Sequence, residues 1–134
     1  MGLAENLIGL GMPAEHAAAL SAETVSSAPS LASSGSLTAT GTTIADALQL
    51  ANFVNLVGTT ASSTGVKLPD VPVGQIVTVQ NNGANALNLF PPTAAGTLNG
   101  GTAGAAVTIA AAAGNICVRR SATDWLVYVV AKEA

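Results

Sequence analysis

The sequence is poor in charge, aromatic residues, histidine and cysteine, and each shortage excludes a class of function. Asp, Glu, Lys and Arg make up 8% of the 134 residues, against about a quarter in ordinary globular domains. Four cationic side chains and a net charge of −3 provide no basic surface for nucleic-acid phosphates. One cysteine and one histidine allow neither an intrachain disulfide nor a His/Cys metal site.

Long apolar runs and targeting signals are also missing. No run approaches the roughly 18–20 residues of a membrane-spanning helix, and the first residues lack the basic stretch of a secretory signal. We therefore expect no membrane, no nucleic acid, no metal and no cofactor. We also expect no catalytic residues, which leaves a structural or binding role as the leading class.

Residues 1–24 predict a helical arm. Apolar residues recur at helical spacing, and Pro13 suits the first turn of a second helix. Because helices this short are unstable alone in water, the arm must pack on something. It either folds back on its own domain or enters a groove of another protein as an anchor. The candidate docking residues are Leu3, Leu7, Ile8, Leu10, Met12, Pro13 and Leu20.

A Ser-rich linker over residues 25–36 precedes a β domain over residues 37–134. Short apolar runs separated by turn signals predict strands at Ser36–Thr40, Ala47–Gly58, Gly65–Leu68, Gln75–Gln80, Ala86–Phe90, Ala105–Ala110, Asn115–Arg120 and Trp125–Val130. Strands at this spacing favour a small antiparallel β-sandwich, jelly roll or barrel. The Asn-Asn-Gly-Ala-Asn segment at residues 81–85 predicts a hairpin between the two runs that flank it.

The last predicted strand is apolar on both faces, which predicts that the core covers one face and another layer or subunit covers the other. Core packing is the favoured role for its Trp125 and Tyr128, and a sugar or receptor platform is the alternative. The candidates for a subunit interface or the core are Trp125, Tyr128, Phe90 and Phe53.

Isolated residues that could carry chemistry have simpler interpretations. Residues 9–14 match G-x-G-x-x-A, but they lack the preceding strand that a dinucleotide site needs. His16 lies on an Ala-rich helix with no strand-to-helix elbow nearby and is best interpreted as a surface or docking residue. Cys117 fits a buried strand position. Arg119 and Arg120 fit a strand end with a salt bridge to Asp124, although an acidic patch on a neighbouring subunit is a second possible partner.

Several segments resemble a β-rich module of tailed-phage virion proteins, found in head-decoration, head-fibre and cement-like proteins. The resemblance covers residues 41–128, and its most specific segments are Gly65–Pro69, Val77–Asn81, Ala84–Pro91, Thr97–Gly100 and Thr123–Trp125. The start of the arm, Leu10–Ala14 before an Ala-rich helix, also resembles the opening of phage structural proteins.

The resemblance implies a non-enzymatic capsid decoration or cement protein on the outer surface of the phage particle. Its partner would be the major capsid protein or another virion protein. The resemblance favours a homotrimer, although dimers also occur. The alternative is a neck, tail or head-fibre adaptor that docks through its arm and displays a receptor-binding or fibre-attaching β domain.

Overall fold

The computed structural model describes residues 30–32 and 35–131, and every regular element in this part of the chain is a strand. This confirms the all-β prediction, whereas the predicted helical arm lies outside the described residues. The strands are β1 (Ser30–Ala32), β2 (Leu37–Thr38), β3 (Leu48–Gln49), β4 (Asn52–Thr59), β5 (Gly65–Lys67), β6 (Ile76–Asn81), β7 (Leu87–Phe90), β8 (Thr97–Leu98), β9 (Val107–Ile109), β10 (Ala113–Arg119) and β11 (Asp124–Ala131).

The strands form two mixed sheets that the chain visits alternately. Sheet A has the order β1-β4-β6-β10-β11-β8, with β2 also paired to β4, and sheet B has the order β3-β5-β7-β9. From β2 to β10 consecutive strands alternate between the two sheets, with even-numbered strands in sheet A and odd-numbered strands in sheet B. This alternation gives the chain a solenoid-like path. Neighbours such as β4 and β6 are therefore parallel, because the intervening strand of sheet B serves as their crossover.

The predicted antiparallel arrangement is wrong. Among the named strands, only β6 with β10, β10 with β11, and β7 with β9 pair antiparallel, while the other pairs are parallel. The physical reason is the alternating path. When the chain leaves a sheet, passes through the other sheet and returns, the two strands that it joins run in the same direction. Ser30–Ala32, predicted to belong to the linker, pairs with β4 as β1.

Side chains from both sheets fill a shared core. Alternation along β6 is typical: Val77 and Val79 are buried and Ile76 is exposed. Trp125 is the largest side chain in the core and is 1% exposed. The other large members include Leu50, Val57, Val66, Leu68, Leu87, Leu89, Leu98 and Ile109. The core therefore consists mainly of aliphatic side chains around one indole.

The run predicted as one strand over Ala47–Gly58 divides into β3 in sheet B and β4 in sheet A. The chain changes sheets at Leu50, which is buried. The Gln49 side-chain amide donates to the carbonyls of Leu50 and Leu68, each at 3.0 Å, and so supports the backbone where it turns. β8 was not predicted, because two residues give no readable alternation.

The predicted hairpin at residues 81–85 is wrong, because β6 and β7 lie in different sheets. The Asn81 side chain is fully buried at this crossing. Its Nδ2 donates to the carbonyls of Asn85 at 2.9 Å and of Ile109 and Ala110 at 3.2 Å, and its Oδ1 accepts from the Gly83 amide at 2.9 Å. A side chain that begins in sheet A thus holds the end of β9 in sheet B.

Replacing Asn81 with Ala should lower the free energy of unfolding by about 2–4 kcal/mol, because it leaves buried carbonyls and an amide without a partner. Urea denaturation measures this change. Asn82→Ala is the matched control, since Asn82 is exposed and its side chain accepts from Gln80 alone, at 3.3 Å, among the residues that the structure describes. Equal stability of the two variants would contradict the role of Asn81.

Candidate interaction surface

Sheet A carries an apolar surface on the side that faces away from the core. We call this surface the outer face, and define it by side chains of β4, β6, β10 and β11 that are between 36 and 55% exposed: Val54, Leu56, Ile76, Ile116, Tyr128 and Val130. The register aligns Val54 with Thr78, Thr78 with Ile116, and Ile116 with Tyr128, so these positions form a continuous row across four strands.

None of the six side chains that define the outer face is charged. Alternation adds Asn52, Gly58, Thr78, Gln80, Gly114, Val118, Leu126 and Asp124 to the same side of the sheet. Asp124 is the one ionisable residue of these; it is buried at the start of β11 and pairs with Arg120. Each of the six members is at least a third exposed, so together they form a continuous apolar patch. The largest apolar patch of a monomer is often functional, which makes the outer face the candidate interaction surface.

A groove of about 540 Å³ lies in the outer face. The groove exists because Gly114 has no side chain to fill the space between its neighbours. Gly114 aligns with Gln80 on one side and with Val130 on the other. A Cβ at this position would approach Gln80 Oε1 to 2.7 Å. Leu56, Ile116 and Val130 supply apolar walls, and Ser36, Thr78 and Gln80 supply polar groups.

The four aromatic candidates divide between core and surface. Trp125 and Phe90 are buried, and Phe53 is partly buried against the core. Tyr128 is 55% exposed and belongs to the outer face. The structure does not bring the four together, and the seven candidate docking residues of the arm lie outside the described residues.

Sequence reasoning predicted a covered second face for the last strand, which carries Tyr128 and Val130, but missed the other four members of the outer face. Their strands also carry apolar residues on both faces, a signal that was noted only for the last strand. In β11 the core covers Trp125 and Val127, while Tyr128 and Val130 stay exposed. The described residues therefore provide no second layer over this strand.

The thiol of Cys117 is buried in the core, as predicted. Burial raises the pKa of this thiol to about 12, so it stays protonated and unreactive at neutral pH. Within residues 30–32 and 35–131, no three His, Cys, Asp or Glu side chains form a group that could hold a metal ion.

Both arginines bind within the chain. Arg119 pairs with the Asp70 carboxylate and donates to the carbonyls of Val71 and Ala122. Arg120 pairs with Asp124, which confirms the predicted salt bridge. These contacts tie the turn between β10 and β11 to the loop before β6.

Asp124 anchors β8 to the start of β11. Its Oδ1 accepts from the Thr97 hydroxyl at 2.5 Å and from the Gly100 amide at 2.9 Å. These contacts, led by the Thr97 hydroxyl and assisted by the positive charge of Arg120, hold the pKa of this carboxyl below its usual value, although burial opposes the shift. The neighbouring Asn99 has a φ of 54° and accepts from the Val127 amide at 2.7 Å.

A lowered pKa means that the folded state prefers the charged carboxylate. The contribution of Asp124 to stability is therefore complete above its unfolded pKa, near 3.8, and is lost as the pH falls through the lower folded value. Asp124→Asn should weaken this acid dependence and lower stability at neutral pH. Urea denaturation between about pH 2 and 7 measures both effects. Asp70→Asn is the control, because it leaves the Asp124 contacts intact. If it weakened the pH dependence of stability as much as Asp124→Asn does, the acid dependence could not be assigned to Asp124.

Asn115 is a buried amide that has no hydrogen-bond partner for Oδ1 or Nδ2 among the described residues. It aligns with Val79 on one side and Val129 on the other. Asn55 is equally buried and its Oδ1 also lacks a partner, but its Nδ2 donates to the carbonyls of Asn52 at 2.8 Å and Thr78 at 3.2 Å. Asn55 therefore contributes two hydrogen bonds to the fold, and Asn115 contributes none among the described residues.

Asn115→Val should raise the free energy of unfolding by about 1–2 kcal/mol, because it removes an unsatisfied buried amide from a strand that favours β-branched residues. The same substitution at Asn55 should lower it, since two hydrogen bonds are lost. Thermal and urea unfolding of both variants test the contrast. A loss of stability in Asn115→Val would show that this amide has a partner.

No family model, curated protein or solved structure matches the chain. In the described part, no helix is long and apolar enough to span a membrane. The assignment of function therefore depends on the geometry of the outer face and on the residues of the sequence itself.

Proposed function

We propose that the chain is a non-enzymatic structural protein that assembles with its neighbours through the outer face. The observation that carries this proposal is an apolar surface formed by uncharged side chains of four strands. Covering this surface with another one removes apolar area from water, which is favourable. The buried thiol and the paired arginines support the same interpretation, because they leave these groups unavailable for chemistry.

The phage resemblance of residues 41–128 gives this role a setting. Within the proposal, the chain is a capsid decoration or cement protein on the outer surface of a tailed-phage head. It binds the major capsid protein or another virion protein, and the arm over residues 1–24 is an anchor. The two sheets act as a small β-sandwich with solenoid-like connections, in a homo-oligomer for which the resemblance favours a trimer.

The mechanism follows from linkage. A protein that binds the assembled shell and not the free capsid subunits stabilises the shell by mass action. Few exposed charges mean that this binding depends on shape and apolar contact, so it should change little with salt.

Particles that lack the protein should release their genome at a lower temperature than particles that carry it. A fluorescent dye that reports exposed DNA measures the release temperature. Re-addition of purified protein should restore it, and equal temperatures with and without the protein would exclude the cement role. A neck, tail or head-fibre adaptor would bind particles without this effect.

Variants separate the surfaces that bind the particle. Ile116→Lys places a charge on the outer face and should weaken binding, whereas Val73→Lys changes an exposed valine of a loop and serves as the control. Deletion of residues 1–24 tests the anchor. Unchanged affinity after this deletion would remove the arm from the proposal.

A further inference from the structure

We infer that a second copy of this chain covers the outer face, and that its Tyr128 side chain enters the groove above Gly114. This inference rests on the assembly role proposed for the outer face and names the occupant of that surface. Both the projecting side chain and the groove lie on the same face, so two copies can offer each other the same pair of features.

The groove has the shape and chemistry for an aromatic side chain. Its apolar walls, Leu56, Ile116 and Val130, would contact the ring. Ser36, Thr78 and Gln80 also line it and could accept or donate a hydrogen bond to a phenolic hydroxyl. A buried tyrosine normally needs both kinds of contact.

Tyr128 does not fill the groove of its own chain. Its strand position is opposite Ile116, whereas Gly114 is opposite Val130, one side-chain row further along the sheet. Tyr128 is absent from the groove lining and remains 55% exposed. Of the four aromatic residues of the chain, all of which the structure describes, this one alone is exposed.

Charge and area fit a second copy. Two chains that each carry a net charge of −3 can approach through the outer face, because its six members are uncharged and the one ionisable residue on that side, Asp124, is buried and paired with Arg120. Four strands of six to eight residues, about 4.8 Å apart and rising about 3.3 Å per residue, give a face roughly 20 Å on each side. This is broad enough for contact between two copies. A two-fold axis would fill both grooves at once. The inferred assembly is therefore a dimer, which the resemblance also allows, in place of the trimer that it favours.

The sequence offers a direct probe, because Tyr128 is its single tyrosine. Full-length protein labelled with 3-fluorotyrosine gives one fluorine resonance. We expect this resonance to shift as the protein is concentrated, with the same midpoint that sedimentation velocity gives for self-association. A protein that stays monomeric at about 100 µM would overturn the inference. Oligomers with an unshifted resonance would also overturn it, since a different surface would then join the copies.

Variants supply the energetic test. Tyr128→Ser should weaken self-association at least tenfold, as expected for an aromatic anchor. Val129→Ser is the matched control: Val129 is 65% exposed on the same strand but points to the opposite side of the sheet. An equal effect of both substitutions would overturn the inference. Unfolding midpoints near that of the unmodified chain show that either variant is folded.

The arm is the competing occupant, and its deletion distinguishes the two. If a second copy covers the outer face, removing residues 1–24 leaves self-association and the fluorine shift unchanged. If removal strengthens self-association or abolishes the shift, the arm occupies the groove and the inference is wrong. An unmodified chain that binds particles but does not self-associate would overturn the inference and leave the assembly role standing. Self-association without particle binding would leave the inference standing and overturn the assembly role on particles.

Discussion

The crossing between the two sheets at Asn81 is the constraint on which the rest of the fold depends. A solenoid-like path needs a polar backbone to pass between layers, and a buried carbonyl or amide there must find a partner. The Asn81 amide satisfies three carbonyls and one backbone N–H at this point. Because two of those carbonyls belong to the end of β9 and the residue after it, the same side chain also fixes the last strand of sheet B.

A second amide completes this corner. Asn85 Nδ2 donates to the Thr60 carbonyl at 2.8 Å, and the Thr60 hydroxyl donates to the Asn85 carbonyl at 2.9 Å. A Cβ at Gly83 would lie 2.1 Å from Thr60 Oγ1, so glycine is needed for the close approach. The Asn and Gly residues that predicted a tight hairpin thus serve a different structure, in which their side chains bond across layers.

The strands could be predicted from the sequence because alternation and turn residues are local signals. All eight predicted runs contain strand residues, and the burial of Cys117 and the Arg120–Asp124 pair also follow from local pattern. The assignment of strands to sheets could not be predicted, since a period of two identifies faces and not partners. The outer face was missed for a related reason: Val54 and Leu56 alternate with the buried Asn55 and Val57, so position alone does not tell which side is covered.

The short edge strands and the positions of the charged residues explain why association would use the face of a sheet and not an edge. The edges of both sheets are formed by strands of two or three residues, namely β1, β2, β3, β8 and β9. Short edge strands leave few free backbone groups for another chain to pair with. Four of the six charged residues in the described part of the chain form two ion pairs at the turn between β10 and β11. Most charged residues of the described part therefore lie near that turn, and the edge strands are short. The broad surface that remains for specific contact is the outer face of sheet A.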